Sequence, residues 1–171
     1  IQQSIHQRQQ QLEAQLAAAQ LGRLIQWTPP SKVHLTLRFL GETTDQQCQF
    51  LQQALPPLMA KHKPFTLTLT QLGGFPRLSA PNIIWLGLQT TVETLLLLQQ
   101  QIEQLVRTAG FAPETKAFTP HLTIGRLGRT VTRLQSKQVG QVLVDARQAP
   151  EKLPPHGMHF TVNAITHIQS Q

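Results

Sequence analysis

At 171 residues, 40% of them hydrophobic, the chain is long enough to bury one core or two small lobes that share one. Fifteen Lys and Arg against eight Asp and Glu leave a formal charge of +7, spread over Arg38, Lys61, Lys63, Arg77, Arg126, Arg129 and Arg133 without a basic run. That suits a surface drawn to a polyanion such as RNA, or equally a soluble protein that is merely basic.

A single cysteine, Cys48, excludes an internal disulfide and fits a reducing cytoplasm. No stretch nears the ~18 apolar residues of a membrane span, and no secretory signal pattern is visible. Residue 1 is Ile rather than Met, so the native start is expected upstream.

The first twenty residues hold eight Gln, yet Ile1, Ile5, Leu12 and Leu16 share one helical face, predicting an amphipathic helix that ends near Gly22. Pro29-Pro30 breaks the chain, and Val33 to Leu40 reads as a strand closed by Gly41. Thr43 with Gln46 resembles a capping box, opening a helix whose buried face carries Cys48, Leu51 and Leu55 and which Pro56-Pro57 limits.

Phe65 to Thr70 alternates as a strand, followed by a turn at Gly73-Gly74 and a strand over Ile83 to Leu88. Leu95, Leu98, Ile102 and Leu105 mark a second long helix, a core stripe, with Gly110 as its C-terminal cap. Phe118 to Arg126 is the next strand, then a short helix around Arg133 to Val139 and a last strand from His159 to Ile168. This order is an α+β arrangement in two similar lobes, with no linker long enough to separate independent domains.

The stretches "HLTLRFLGE" (34–42) and "HLTIGRLGR" (121–129) repeat His-Leu-Thr-aliphatic, each followed by a basic residue and a Gly. Seven His, 26 Leu and 18 Thr predict roughly 0.1 His-Leu-Thr strings by chance, and two occur. On a strand, His34 and Thr36 point to one face and Leu35 and Leu37 to the other; His121, Thr123, Leu122 and Ile124 repeat the arrangement. If the two strands approach, two imidazoles and two hydroxyls meet. One imidazole can take a proton while the other gives one near neutrality, and the hydroxyls with a nearby Arg can hold phosphoryl oxygens. The pattern suits in-line attack on a phosphodiester.

With "VHLTLRFLGET", "LGGFPRLSAPNIIWLGL" and "FTPHLTIGRLG" in this order, the chain resembles the two-histidine phosphoesterase superfamily, and within it the bacterial and archaeal RNA 2′,3′-cyclic phosphodiesterases, also called 2′-5′ RNA ligases. The resemblance covers roughly residues 1–170 and implies a single bilobal domain over 1–171. Its fold would be two pseudo-symmetric antiparallel sheets with outer helices and a central cleft, one His-x-Thr strand from each lobe lining it. The implied activity is metal-independent hydrolysis of RNA 2′,3′-cyclic phosphate ends, tRNA fragments among them, to 2′-phosphate ends. Reversible 2′-5′ ligation and a role in RNA processing come with it, and no cofactor is implied. His34 would be the proton donor to O3′ and His121 the acceptor from water. Thr36, Thr123, Arg126 and, by strand alternation, Arg38 would bind the phosphate.

The expected protein is a cytoplasmic monomer. The family also has a strand before the first helix and another after the segment resembling "FTVNAITHIQS"; both are expected to lie outside this chain. Two other readings stay open: a phosphodiesterase of the same superfamily acting on 2′-5′ oligonucleotides or nucleotide cyclic phosphates, and a non-catalytic RNA-binding module. No His-x-His or His-x₃-His spacing occurs and no carboxylate stands beside either motif, so no metal site is expected. His6, His62, His156, His159 and His167 are read as surface or packing residues, and Phe39 and Trp85 as core.

Overall fold

The computed structural model describes residues 1–90, 94–149 and 158–168. It divides into two compact units. Unit 1 comprises Ile1–Leu35, Thr68–Gln89 and Pro120–Met158, and unit 2 comprises Thr36–Leu67, Thr90–Thr119 and His159–Gln171. Among the described residues no helix is long and apolar enough to cross a membrane.

Unit 1 starts with helix α1 (Gln2–Ala18), which buries Ile5, Leu12 and Leu16 of the expected stripe and also Arg8 and Gln9, whereas Ile1 precedes the helix and is exposed. Burial holds the Arg8 guanidinium below its ordinary pKa. The helix stops at Ala18, before Gly22, where Gln20 takes a φ of 60° and Leu21 N–H reaches back to the Leu16 carbonyl at 2.7 Å.

The strands β1 (Ile25–Trp27), β2 (Phe65–Phe75), β3 (Ile83–Thr90), β4 (His121–Leu127) and β5 (His159–Val162) form one five-stranded sheet in the order β1-β4-β3-β2-β5. β4 pairs antiparallel with both β1 and β3. Ile84, Leu86, Leu122 and Ile124 are nearly or fully buried on one side of the sheet and join the core of α1 and of α4 (Arg133–Gln148), which contributes Val139, Leu143 and Ala146. The α+β class expected from the element order is what the chain adopts.

Several local expectations change. Gly73-Gly74 lies inside β2 and the turn comes later, at 76–82, closed by Asn82 N–H to the Phe75 carbonyl at 2.6 Å. The glycines are there for close approach: a Cβ on Gly73 would fall 2.2 Å from the Trp85 ring. The helix after Arg133 runs sixteen residues, because Thr132 and Gln135 cap it reciprocally and its Gly140 lets it lie against Ser79 of the turn. The last strand is only four residues.

Unit 2 packs α2 (Asp45–Met59) with α3 (Thr94–Thr108) around Leu51, Leu98, Ile102 and Val106. The capping box of α2 is Thr44 with Gln47, one residue beyond the expected pair. Pro56 and Pro57 do not end α2. They cost amide donors, but Leu55, Leu58 and Met59 pack on the unit-2 core and keep the final turn helical. Phe39, expected in the core, is 73% exposed.

Candidate active site

Sequence alternation along β4 puts Leu122, Ile124 and Arg126 on one face and His121 and Thr123 on the other. The first two are buried as expected, but Arg126 is exposed. The cause is a bulge. Trp85 pairs with Thr123 and Gly87 with His121, whereas Ile84 pairs with Gly125 and Ile83 with Arg126, so Ile124 is an extra residue with no counterpart in β3. Directly paired residues project to the same side. Gly125 therefore faces the core beside the fully buried Ile84, and Arg126 turns onto the face of Trp85, Thr123 and His121. A five-residue spacing that a regular strand would split thus becomes one surface.

Gly125 is required at the core side, where a Cβ would stand 3.0 Å from the Trp27 ring and 3.1 Å from Ile25 Cγ2. The carbonyl of Ile124 is held from elsewhere: it accepts from Thr28 N–H at 3.0 Å and from Gln9 Nε2 at 2.9 Å. Gln9 Nε2 also donates to the Thr28 carbonyl at 2.7 Å. This glutamine, 4% exposed, was hidden in a Gln-rich helix. The legible hint is its helical spacing from Ile5, Leu12 and Leu16, which places it on the buried side.

The expected strand over Val33 to Leu40 is reduced to one antiparallel bridge, Leu35 with Leu122. A strand needs a partner edge, and β4 begins at His121, so the ladder has almost nothing left to pair with. The bridge still sets the register that matters. It puts His34 across from Thr123, on the side away from the buried Leu122, and makes His34 a diagonal neighbour of His121. In sheet geometry such neighbours are separated by about 7–8 Å. His34, exposed, places Nδ1 2.8 Å from the Lys32 carbonyl oxygen. A carbonyl only accepts, so Nδ1 carries its proton and Nε2 is the nitrogen left for proton exchange.

His121, half-buried, sits in an aromatic corner. Its ring centroid is 5.0 Å from Phe75 in a T-shaped contact and 5.8 Å from Trp85, and those two rings are 5.2 Å apart. Trp85, expected as core, is half-buried and forms the wall of this corner.

His34, His121, Thr123 and Arg126 all belong to unit 1. The boundary between the units falls after Leu35, inside the first His-Leu-Thr stretch. Thr36, exposed, and Arg38 belong to unit 2. There Arg38 Nε donates to Glu103 at 2.6 Å, its NH2 group to the Ala112 carbonyl at 2.6 Å and its NH1 group to the Phe39 carbonyl, with Glu114 3.7 Å away. Its charge is already met by two carboxylates.

His62 bonds Gln101 at 2.7 Å, and His6 and His159 are exposed, while His156 lies outside the described residues. Among the described residues no three His, Cys, Asp or Glu side chains gather as a metal-ligand set. A cavity of about 410 Å³ in unit 2, between Leu55, Met59, His62, Phe65 and Ile165, contains none of the six candidate residues.

The model of the LigT-like phosphoesterase family matches the chain twice, over residues 1–85 and 86–169, one copy for each His-Leu-Thr stretch. The chain belongs to the LigT-like phosphoesterases. It is 33% identical over 102 residues to an RNA 2′,3′-cyclic phosphodiesterase of Aquifex aeolicus, covering 59% of this chain and 54% of that one. It is 29% identical over 136 residues to one of Archaeoglobus fulgidus, covering 75% of each. The matched region thus spans about half the length of several of these relatives. Among solved structures, TT0787 of Thermus thermophilus superposes with a TM-score of 0.60 at 23% identity, covering 90% of this chain and 79% of that one. E. coli LigT complexed with 3′-AMP superposes at 0.52 and 22%, covering 88% and 76%. Both share the fold of this LigT-like chain.

Proposed function

We propose that this LigT-like chain is a metal-independent RNA 2′,3′-cyclic phosphodiesterase that opens the cyclic end to a 2′-phosphate. The observation that carries the reading is the single face on which β4 and the Leu35 bridge gather His34, His121, Thr123 and Arg126. Two imidazoles on diagonal neighbours, residues about 7–8 Å apart in sheet geometry, can flank one phosphorus. His121 takes a proton from water as its oxygen bonds to phosphorus. The P–O3′ bond breaks, and His34 delivers the proton of Nε2 to O3′. Its Nδ1–H stays on the Lys32 carbonyl throughout, which keeps the ring oriented. Thr123 and Arg126 bind the phosphoryl oxygens and offset the charge that develops on them. Arg38, engaged by Glu103 and Glu114, acts from unit 2 by holding the segment that follows Thr36.

The relatives named as RNA 2′,3′-cyclic phosphodiesterases support this substrate. The reading includes reversible 2′-5′ ligation and a monomer working in the cytoplasm, where Cys48 stays reduced. The test is incubation with an RNA ending in a 2′,3′-cyclic phosphate in the presence of EDTA. Conversion to the 2′-phosphate is expected; no conversion overturns the function, and conversion that persists in His121→Ala overturns the mechanism.

A further inference from the structure

Basic residues that look scattered along the chain are not scattered in space. Unit 1 holds ten of the fifteen Lys and Arg and three of the eight Asp and Glu, a net of +7, whereas unit 2 holds five of each. The whole excess charge of the protein therefore lies on the unit that contains both histidines. Within it, residues 14–35, 68–89 and 120–144 contain no Asp or Glu at all.

The fold concentrates this charge at one end of the sheet. Gly128 N–H bonds the Leu24 carbonyl at 2.9 Å, which brings Arg23 and Arg129 together just beyond the β1–β4 ladder. Leu127 N–H bonds the Asn82 carbonyl at 2.9 Å, which ties the 76–82 turn and its Arg77 to the same end. Ser136 Oγ donates to the Pro81 carbonyl at 2.8 Å, so the first turn of α4, with Arg133 and Lys137, joins them. All five cations are exposed. Arg126, moved by the bulge onto the His121 face, makes the cationic end continuous with the candidate site.

We propose that this end of unit 1 is a track for the sugar-phosphate backbone of single-stranded RNA, running along β4 from His121 past Arg126 to Arg23, Arg129 and Arg133. From His121 to Leu127 the strand covers roughly 20 Å, several nucleotides of chain. The inference rests on the RNA-end reading above for what the track delivers, and it adds where the rest of the strand lies. A polynucleotide end is then favoured over a free nucleotide cyclic phosphate, because only the polymer reaches the track. The gain is electrostatic and falls with salt.

The test is the combined variant Arg23→Gln, Arg129→Gln and Arg133→Gln, in surface positions outside the reacting group. Binding is read by fluorescence anisotropy on a fluorescein-labelled single-stranded RNA of about a dozen nucleotides, between about 50 and 200 mM salt. Roughly tenfold weaker binding is expected, with the slope of log affinity against log salt flattened by about 2 for three lost phosphate contacts. Hydrolysis of a nucleoside 2′,3′-cyclic phosphate is expected to stay at the wild-type rate. Unchanged affinity and slope overturn the track. So does a variant that loses phosphatidylserine vesicles while keeping RNA, which would make the surface a membrane contact. Were the wild type inactive on an RNA ending in a 2′,3′-cyclic phosphate, the catalytic reading would fall, and the anisotropy would still decide the track.

Discussion

The side-chain amide of Gln9, on the first helix, donates to the carbonyl oxygen of Ile124, 115 residues away, at 2.9 Å. Ile124 is the extra residue of the β4 bulge, and the bulge turns Arg126 onto the face of His121 and Thr123. A buried helix residue thus bonds the backbone at the bulge that decides which side of the strand carries a cation.

Gln9→Leu is expected to leave two carbonyls, the partly buried one of Thr28 and the buried one of Ile124, without this donor. The cost is about 1–3 kcal/mol by denaturant melting. If the bulge relaxes, the Arg126 contribution goes with it. The check is a double-mutant cycle with Arg126→Gln on turnover of the cyclic phosphate, in which the two losses should be strongly non-additive.

Gly73→Ala puts a methyl 2.2 Å from the Trp85 ring, which is itself against Phe75 and His121. The ring must move or the strands must part, at a cost of about 1–3 kcal/mol. A fall in turnover larger than the fall in folded fraction, with the tryptophan emission shifted, is the expected outcome. Wild-type fluorescence and turnover would show that the corner does not position His121.

Arg38→Lys keeps the charge but cannot serve Glu103, Ala112 and Phe39 from one planar fork. Destabilisation of about 1–3 kcal/mol is expected from the lost charge-assisted bonds. Substrate KM should change little beyond what the loss of folded protein explains. A large KM increase at unchanged stability would instead assign Arg38 to the phosphate.

Glu114 accepts backbone N–H groups from Lys116 at 3.1 Å and Thr115 at 3.0 Å, and Arg38 is near. The Lys116 bond first, then the Thr115 bond and the Arg38 and Lys116 charges, hold its carboxyl below the ordinary range against the opposing effect of desolvation. A depressed folded-state value means the stabilisation is present above the ordinary carboxylate range and is lost as pH falls through the lowered one. Thermal melts across that window should show a smaller acid loss in Glu114→Gln than in wild type.

Catalysis by His34 and His121 needs one imidazole neutral and the other protonated. Turnover against pH should therefore be bell-shaped, with one limb removed in each single His→Ala variant and activity down about 10²–10⁴-fold. A flat profile across the neutral range would argue against a two-histidine reaction.

Much of this was readable from composition and period. The α1 stripe, the α3 stripe and the alternation of β2 and β4 follow from which side chains must leave water, and that demand is local. The His-Leu-Thr repeat was visible because its polar face cannot be explained by burial alone. Other features depended on partners distant in sequence. Val33 to Leu40 has strand-like alternation, yet β4 offers it a single bridge. Gly73-Gly74 reads as a turn, and the close approach of the Trp85 ring to Gly73 and of Pro81 to Gly74, which calls for glycine inside a strand, exists only in the folded chain.

By itself, the sequence determined that the chain folds as α+β, that its net charge is +7, and that it carries two matched imidazole–hydroxyl pairs. Tertiary structure alone decided that both histidines fall in one unit, that Arg126 shares their face, and that the excess charge gathers on that unit. The reason is physical. Burial and alternation are properties of neighbours along the chain, whereas a bulge, a bridge and a charge cluster exist only once distant strands have set their register.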